Sequence, residues 1–107
     1  YAAGSLSKQH ASPTQKAFVD LYEKTYNQPA VQFAAQAWDA SRILFAVLSA
    51  TGAKANGRVM AAWLEKGTPI PGVESTYRFS PKDHNGEGID AVRMIVPKNG
   101  FWTDAPV

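Results

Sequence analysis

The chain contains no cysteine. Disulfides, thiolate catalysis and Cys-based metal sites are excluded together, while the choice of compartment stays open. Histidine is nearly as scarce. His10 and His84 stand far apart, in neither an H-x-x-x-H nor an H-E-x-x-H spacing, so no zinc site is expected. Excess charge of one sign is also missing. Eleven Lys and Arg against nine Asp and Glu leave a formal charge of +2, and the basic residues are scattered. That pattern gives neither a nucleic-acid stripe nor a polybasic membrane patch. No apolar run reaches the ~18 residues of a membrane-spanning helix, because Asp39 and Arg42 interrupt the best candidate. There is no G-x-S-x-G motif, and no serine is grouped with a histidine and a carboxylate. No glycine-rich loop follows a strand, which removes the usual signal for nucleotide binding. Residue chemistry therefore argues against an enzyme, chiefly through what is absent.

What is present is enough for one domain. Of the 107 residues, 45% are apolar and only 19% charged, so a hydrophobic core is expected and global disorder is not. Tyr1 opens the chain with no Met, no basic n-region and no apolar h-region. Either a leader has been removed or the chain is a piece of something longer.

The pattern along the chain predicts three helices. Tyr1 to Leu6 reads as the tail of a strand. Ser12-Pro13 is a helix start, with Ser12 as N-cap and Pro13 at the first helical position. Phe18, Leu21, Tyr22 and Tyr26 follow at helical spacing until Asn27-Gln28-Pro29. A second helix is predicted from about Val31 to Thr51, stopped by Gly52. It is apolar almost all round, with Phe33, Trp38, Ile43, Leu44, Phe45 and Leu48. Such a helix is normally sandwiched between other elements, and a chain this short has little to sandwich it with. Asn56 caps a third helix over Gly57 to Glu65, with Val59, Met60, Trp63 and Leu64 as its apolar stripe.

The period then changes. Thr68-Pro69-Ile70-Pro71-Gly72 breaks the chain, and Thr76–Phe79 reads as a short strand. Ala91–Val96 is the best strand of the sequence, and Asn99-Gly100 signals a type I′ hairpin returning into Phe101-Trp102. Three helices followed by two or three antiparallel strands would cover one another poorly without more structure.

Few side chains stand out as candidates. Asp83-His84-Asn85-Gly86-Glu87 lacks the bidentate Glu of a calcium loop and reads as a plain turn-rich loop. Asp39 sits within the most apolar helix. It is either solvated or paired locally with Arg42, or it makes a polar contact across a cleft between lobes. Most of the twelve aromatics fall on helix stripes and belong to the core. Phe33 differs. It lies in the first turn of the apolar helix, just after Pro29, where it can face either the core or a ligand pocket.

The order of these features resembles a known family. Ala17-Phe18-Val19 with Tyr22 and Tyr26, then Gln28-Pro29, Ala37-Trp38-Asp39-Ala40 and Thr51-Gly52 are similar to a succession found in type I solute-binding proteins. These are the extracytoplasmic receptors of branched-chain amino acid ABC transporters. The tail continues the likeness, with Gly72, Thr76-Tyr77-Arg78-Phe79-Ser80-Pro81, His84, Val92, Ile95-Val96 and Asn99-Gly100-Phe101-Trp102. Trp38 stands where the family usually has Tyr.

The resemblance implies an α/β parent fold, type I periplasmic binding protein-like, of which this chain is a C-terminal fragment starting near the second of three crossovers. Residues 1–88 or so would belong to the first lobe. About 89–107 would form the last crossover, carried by Ala91–Val96, and a hairpin on the second lobe. It also implies a periplasmic protein that captures a small solute such as an amino acid between its lobes and presents it to a membrane permease. No catalysis, metal or cofactor is involved. Phe33 is the one position carried over as a pocket wall, and most ligand-gripping residues would lie upstream of Tyr1. The isolated chain is then expected to bind no solute tightly and to self-associate through its uncovered apolar faces. The competing expectation is a small self-contained α+β interaction module, monomeric and cooperatively folded, with the aromatic helix as its partner-binding face.

Overall fold

A computed structural model describes residues 2–6 and 11–106. Helix α1 (Pro13–Tyr26) is framed by local chemistry at both ends. The Gln15 N–H donates to the Ser12 hydroxyl at 3.2 Å, and the Ser12 N–H donates back to Gln15 Oε1 at 3.2 Å. This reciprocal pair satisfies two backbone donors that a helix start leaves open. Asn27 closes the helix in the left-handed region and donates its N–H to the Glu23 carbonyl. Helix α2 (Gln32–Thr51) starts after an extended Val31 and stops at Gly52, whose φ of 88° a side chain would resist. Helix α3 (Gly57–Leu64) is capped by Asn56, which accepts from the Val59 N–H at 3.1 Å.

The strands form two separate sheets. β1 (Ala2–Gly4), β4 (Arg93–Lys98) and β5 (Phe101–Asp104) make an antiparallel sheet in the order β1-β4-β5. Ile95 lies opposite both Ala2 and Asp104, and Lys98 lies opposite Phe101. The turn between them is Asn99-Gly100, with φ of 52° and 79°, the double positive φ of a type I′ hairpin. Pro97 is tolerated inside β4 for a geometric reason. A two-residue turn makes Lys98 and Phe101 the hydrogen-bonded pair, so the neighbouring Pro97–Trp102 pair is one that exchanges no N–H. The second sheet is a two-stranded hairpin of β2 (Ile70–Pro71) and β3 (Thr76–Tyr77).

Three expectations are corrected here. Ile70-Pro71 is not merely a break but a strand. The strand expected over Thr76–Phe79 stops at Tyr77, because β2 offers only two residues to pair with. The strand expected over Ala91–Val96 begins at Arg93, after Ile89–Ala91 has closed a short 3-10 turn (η1), and runs on to Lys98.

The core is small. Phe18, Ala35 and Val73 form its centre, with Leu6, Val19, Tyr22, Ala30 and Ala34 packed around them. Phe18 sits between the rings of Tyr22 and Trp38, with centroids 5.9 Å and 5.6 Å away. Of the 20 residues of α2, only Ala35, Asp39 and Val47 are buried. Phe33, Leu44 and Phe45 stand exposed, Phe45 by 67%. The chain exposes 7552 Å² in all, where a closed monomer of this mass exposes about 5,800 Å². Its radius of gyration is 15.5 Å, against about 13 Å for a compact domain of this length. The helix that the sequence marks as needing cover on every side has it on one.

Candidate functional site

A cleft of about 1050 Å³ opens between the helices and the three-stranded sheet. One wall is α1, through Lys16, Val19, Asp20 and Glu23, continued by Pro29 to Phe33. Ala2, Ala3 and Ile95 from β1 and β4 line the opposite side, and the β4–β5 hairpin adds Gly100, Phe101 and Trp102. The small side chains of β1 leave room, while aromatic rings from two different elements stand around the space. Phe33 reaches this cleft because α2 begins only at Gln32, so its ring projects from the first turn. It is 79% exposed. The volume lies at the upper end of small-molecule sites, so an amino-acid-sized solute would touch only part of the lining.

Asp39 has a different role from any expected of it. Six residues after Phe33, it points about 120° round the helix from that ring. It is 1% exposed and does not meet solvent. Its carboxylate accepts from the Val73 N–H at 2.6 Å, the Glu74 N–H at 2.9 Å and the Tyr77 hydroxyl at 3.0 Å. Those donors belong to the β2–β3 hairpin, so Asp39 clamps the turn onto α2. Gly72 makes the approach possible, since a Cβ there would come within 2.5 Å of Asp39 Oδ2. Arg42, the expected local partner, instead donates from Nε to the Pro71 carbonyl at 3.3 Å. Burial first, and then the bond to Asp39, push the Tyr77 hydroxyl far above its ordinary value of 10.0.

Glu74 follows directly in the same turn and is also buried. Its Oε1 accepts from the Ser5 hydroxyl, while Gln15 Nε2 donates to the Ser5 carbonyl at 3.0 Å. Burial raises the Glu74 carboxyl above the usual carboxylate value; the Ser5 bond opposes this, and the charges of Glu87 and Asp39 add to it.

A second, acidic hollow of about 500 Å³ is lined by Glu74, Arg78, Asp83, Glu87 and Asp90 among others. Among the described residues no three His, Cys, Asp or Glu side chains are grouped to hold a metal ion. The Asp83–Glu87 run is a turn stabilised from within, with Asp83 Oδ1 accepting from the Asn85 N–H at 2.9 Å. His84 is exposed and meets Glu65 Oε1 at 3.0 Å. His10 lies outside the described residues.

The sequence reading singled out Phe33 but missed the partners that share its cleft. Phe101 and Trp102 were legible as a hairpin arm, and nothing in their spacing tells which face a pocket. Ser5, Gln15 and Glu74 were missed as a group. Gln15 carried a faint signal, three residues after the Ser12 cap, where a side chain turns back on the helix start.

No protein-family model and no curated protein matches this chain. A crystal structure described as that of a branched-chain amino acid ABC transporter from Rhodospirillum rubrum is similar in shape, with a TM-score of 0.69 and 23% sequence identity. The likeness covers 96% of this chain and 29% of that one, so the chain spans less than a third of its length. What this establishes is fold: an α/β arrangement of three helices and antiparallel strands that follows part of a periplasmic-binding-protein-like structure.

Proposed function

We propose that this chain is the C-terminal part of an extracytoplasmic solute-binding receptor, periplasmic and non-enzymatic, serving an ABC transporter. Residues up to about 88 belong to its first lobe. About 89–107 supply the last crossover and a hairpin on the second lobe. The receptor holds a small solute, such as an amino acid, between the lobes and presents it to the permease. Ligand contacts that exist only when the lobes close favour the closed form by their differential affinity.

The observation that carries this reading is the placement of Phe33. Phe33, which the family resemblance offers as a pocket wall, lines the cleft between helices and sheet. The shape likeness to part of a much longer chain supports it. So does the uncovered surface of α2, where Leu44 and Phe45 await neighbours. A self-contained interaction module fits less well, because such a domain closes its own core at this size.

The test is calorimetry on the full-length receptor with a panel of amino acids. Truncating the ring in Phe33→Ala is expected to weaken the bound solute about 10-fold, the scale of one lost apolar contact. Unchanged affinity would remove Phe33 from the site. The isolated 107 residues should bind none of the panel tightly, since one wall leaves a solute largely hydrated.

A further inference from the structure

The most extensive contacts between elements form two groups. β1, β4 and β5 pack on one another, and α2 packs on α3 and β2. Three consecutive residues after the start of β1 join the groups. Gly4 nests where a Cβ would collide with Ile95 and with Gln32 Oε1, the first side chain of α2. Leu6 packs against the core of Phe18, Ala35 and Val73. Between them Ser5 is held twice, its carbonyl by Gln15 of α1 and its hydroxyl by Glu74 of the β2–β3 turn. Both partners are buried, at 5% and 8% exposure, and neither is free to follow a moving chain. Glu74 is itself anchored, because its N–H donates to the buried carboxylate of Asp39.

β1 is paired to β4, and β4 to β5, so whatever fixes β1 also fixes Phe101 and Trp102 across the cleft from Phe33. We infer that Ser5 is a positioning residue: its double tie to Gln15 and Glu74 sets the angle between the three-stranded sheet and the helices, and thereby the width of the cleft. As a claim about solute binding it rests on the function proposed above; as a claim about geometry it stands without a solute. A single hydroxyl and carbonyl at the junction suit this task. Losing the hydroxyl, or the Gln15 amide that meets the carbonyl, changes no side chain lining the cleft, yet frees a rotation that moves one wall against the other.

The absence of native cysteine lets the angle be read by paired spin labels in the full chain. One pair, at Lys24→Cys and Lys98→Cys, spans the junction from the exposed end of α1 to the exposed end of β4. A control pair, at Lys24→Cys and Lys54→Cys, stays on the helical side. In Ser5→Ala the spanning distance should shift or broaden by more than about 2 Å, the scale that separates rearrangement from side-chain adjustment. The control distance and the far-UV circular dichroism should not change. Glu74→Ala should reproduce the effect, and Glu74→Gln, which keeps an acceptor for the Ser5 hydroxyl, should restore the narrow spanning distance. Ser5→Ala keeps the backbone carbonyl and its bond from Gln15, so Gln15→Ala is combined with it; an unchanged spanning distance in both alanine variants and in this double variant overturns the inference. So does equal broadening of both pairs, which would mark Ser5 as a general stabiliser only. Altered spanning distances with unaltered solute affinity in the full-length receptor would uphold the tie and overturn the assignment of the cleft.

Discussion

Removing the Asp39 carboxylate tests how the small core is held. In Asp39→Ala the N–H groups of Val73 and Glu74 and the hydroxyl of Tyr77 all lose their acceptor. Each buried donor left unsatisfied costs about 1–3 kcal/mol. Tyr77 can turn its hydroxyl, but the two backbone donors are fixed by the turn. Some of the loss is returned because a buried charge no longer has to be desolvated. The expected net destabilisation is about 3 kcal/mol. At a urea m-value near 1.5 kcal/mol/M this lowers the unfolding midpoint by about 2 M. Asp39→Asn should be milder, at about 2 kcal/mol. Its amide oxygen still accepts from Val73, its amide nitrogen meets the Glu74 N–H donor to donor, and the Tyr77 oxygen can rotate to accept. Combining Asp39→Asn with Tyr77→Phe should show coupling of about 1 kcal/mol, because the two share a bond. Urea titration followed by far-UV circular dichroism gives every value. A midpoint shift below about 0.5 M for Asp39→Ala, or Asn proving worse than Ala, would refute the clamp.

Two further outcomes follow from the same features. Tyr77 has a folded-state pKa raised above the unfolded value of 10.0 by burial and by Asp39. Its contribution to stability is therefore full below about pH 10 and is lost as the pH rises beyond it, because the unfolded chain releases that proton first. The urea midpoint should fall more steeply above that pH in the wild type than in Tyr77→Phe, and parallel curves would contradict this. On α2, Leu44 and Phe45 are 50% and 67% exposed, and the chain should self-associate through them. Sedimentation over a concentration series should show association that Leu44→Lys with Phe45→Lys abolishes, whereas a wild-type monomer at high concentration would count against an uncovered face.

The sequence by itself determined the elements whose rules are local. Ser12, Pro13 and Asn27 bound α1 because a cap acts within one helical turn. Asn99-Gly100 set the last hairpin because a two-residue turn needs two positive φ values. The apolar circumference of α2 was equally legible, and so was its need for cover. Tertiary structure decided everything that depends on distant partners. Asp39 could not be assigned from its neighbours, since its donors lie 34, 35 and 38 residues further on and Arg42 turns to a carbonyl instead. β3 was legible within Thr76–Phe79, but its partner β2 was not, because a two-residue strand within Pro69-Ile70-Pro71 carries no periodicity. The cleft exists only where β1 meets β4 across most of the chain, and no pattern along the sequence records which faces such a pairing brings together.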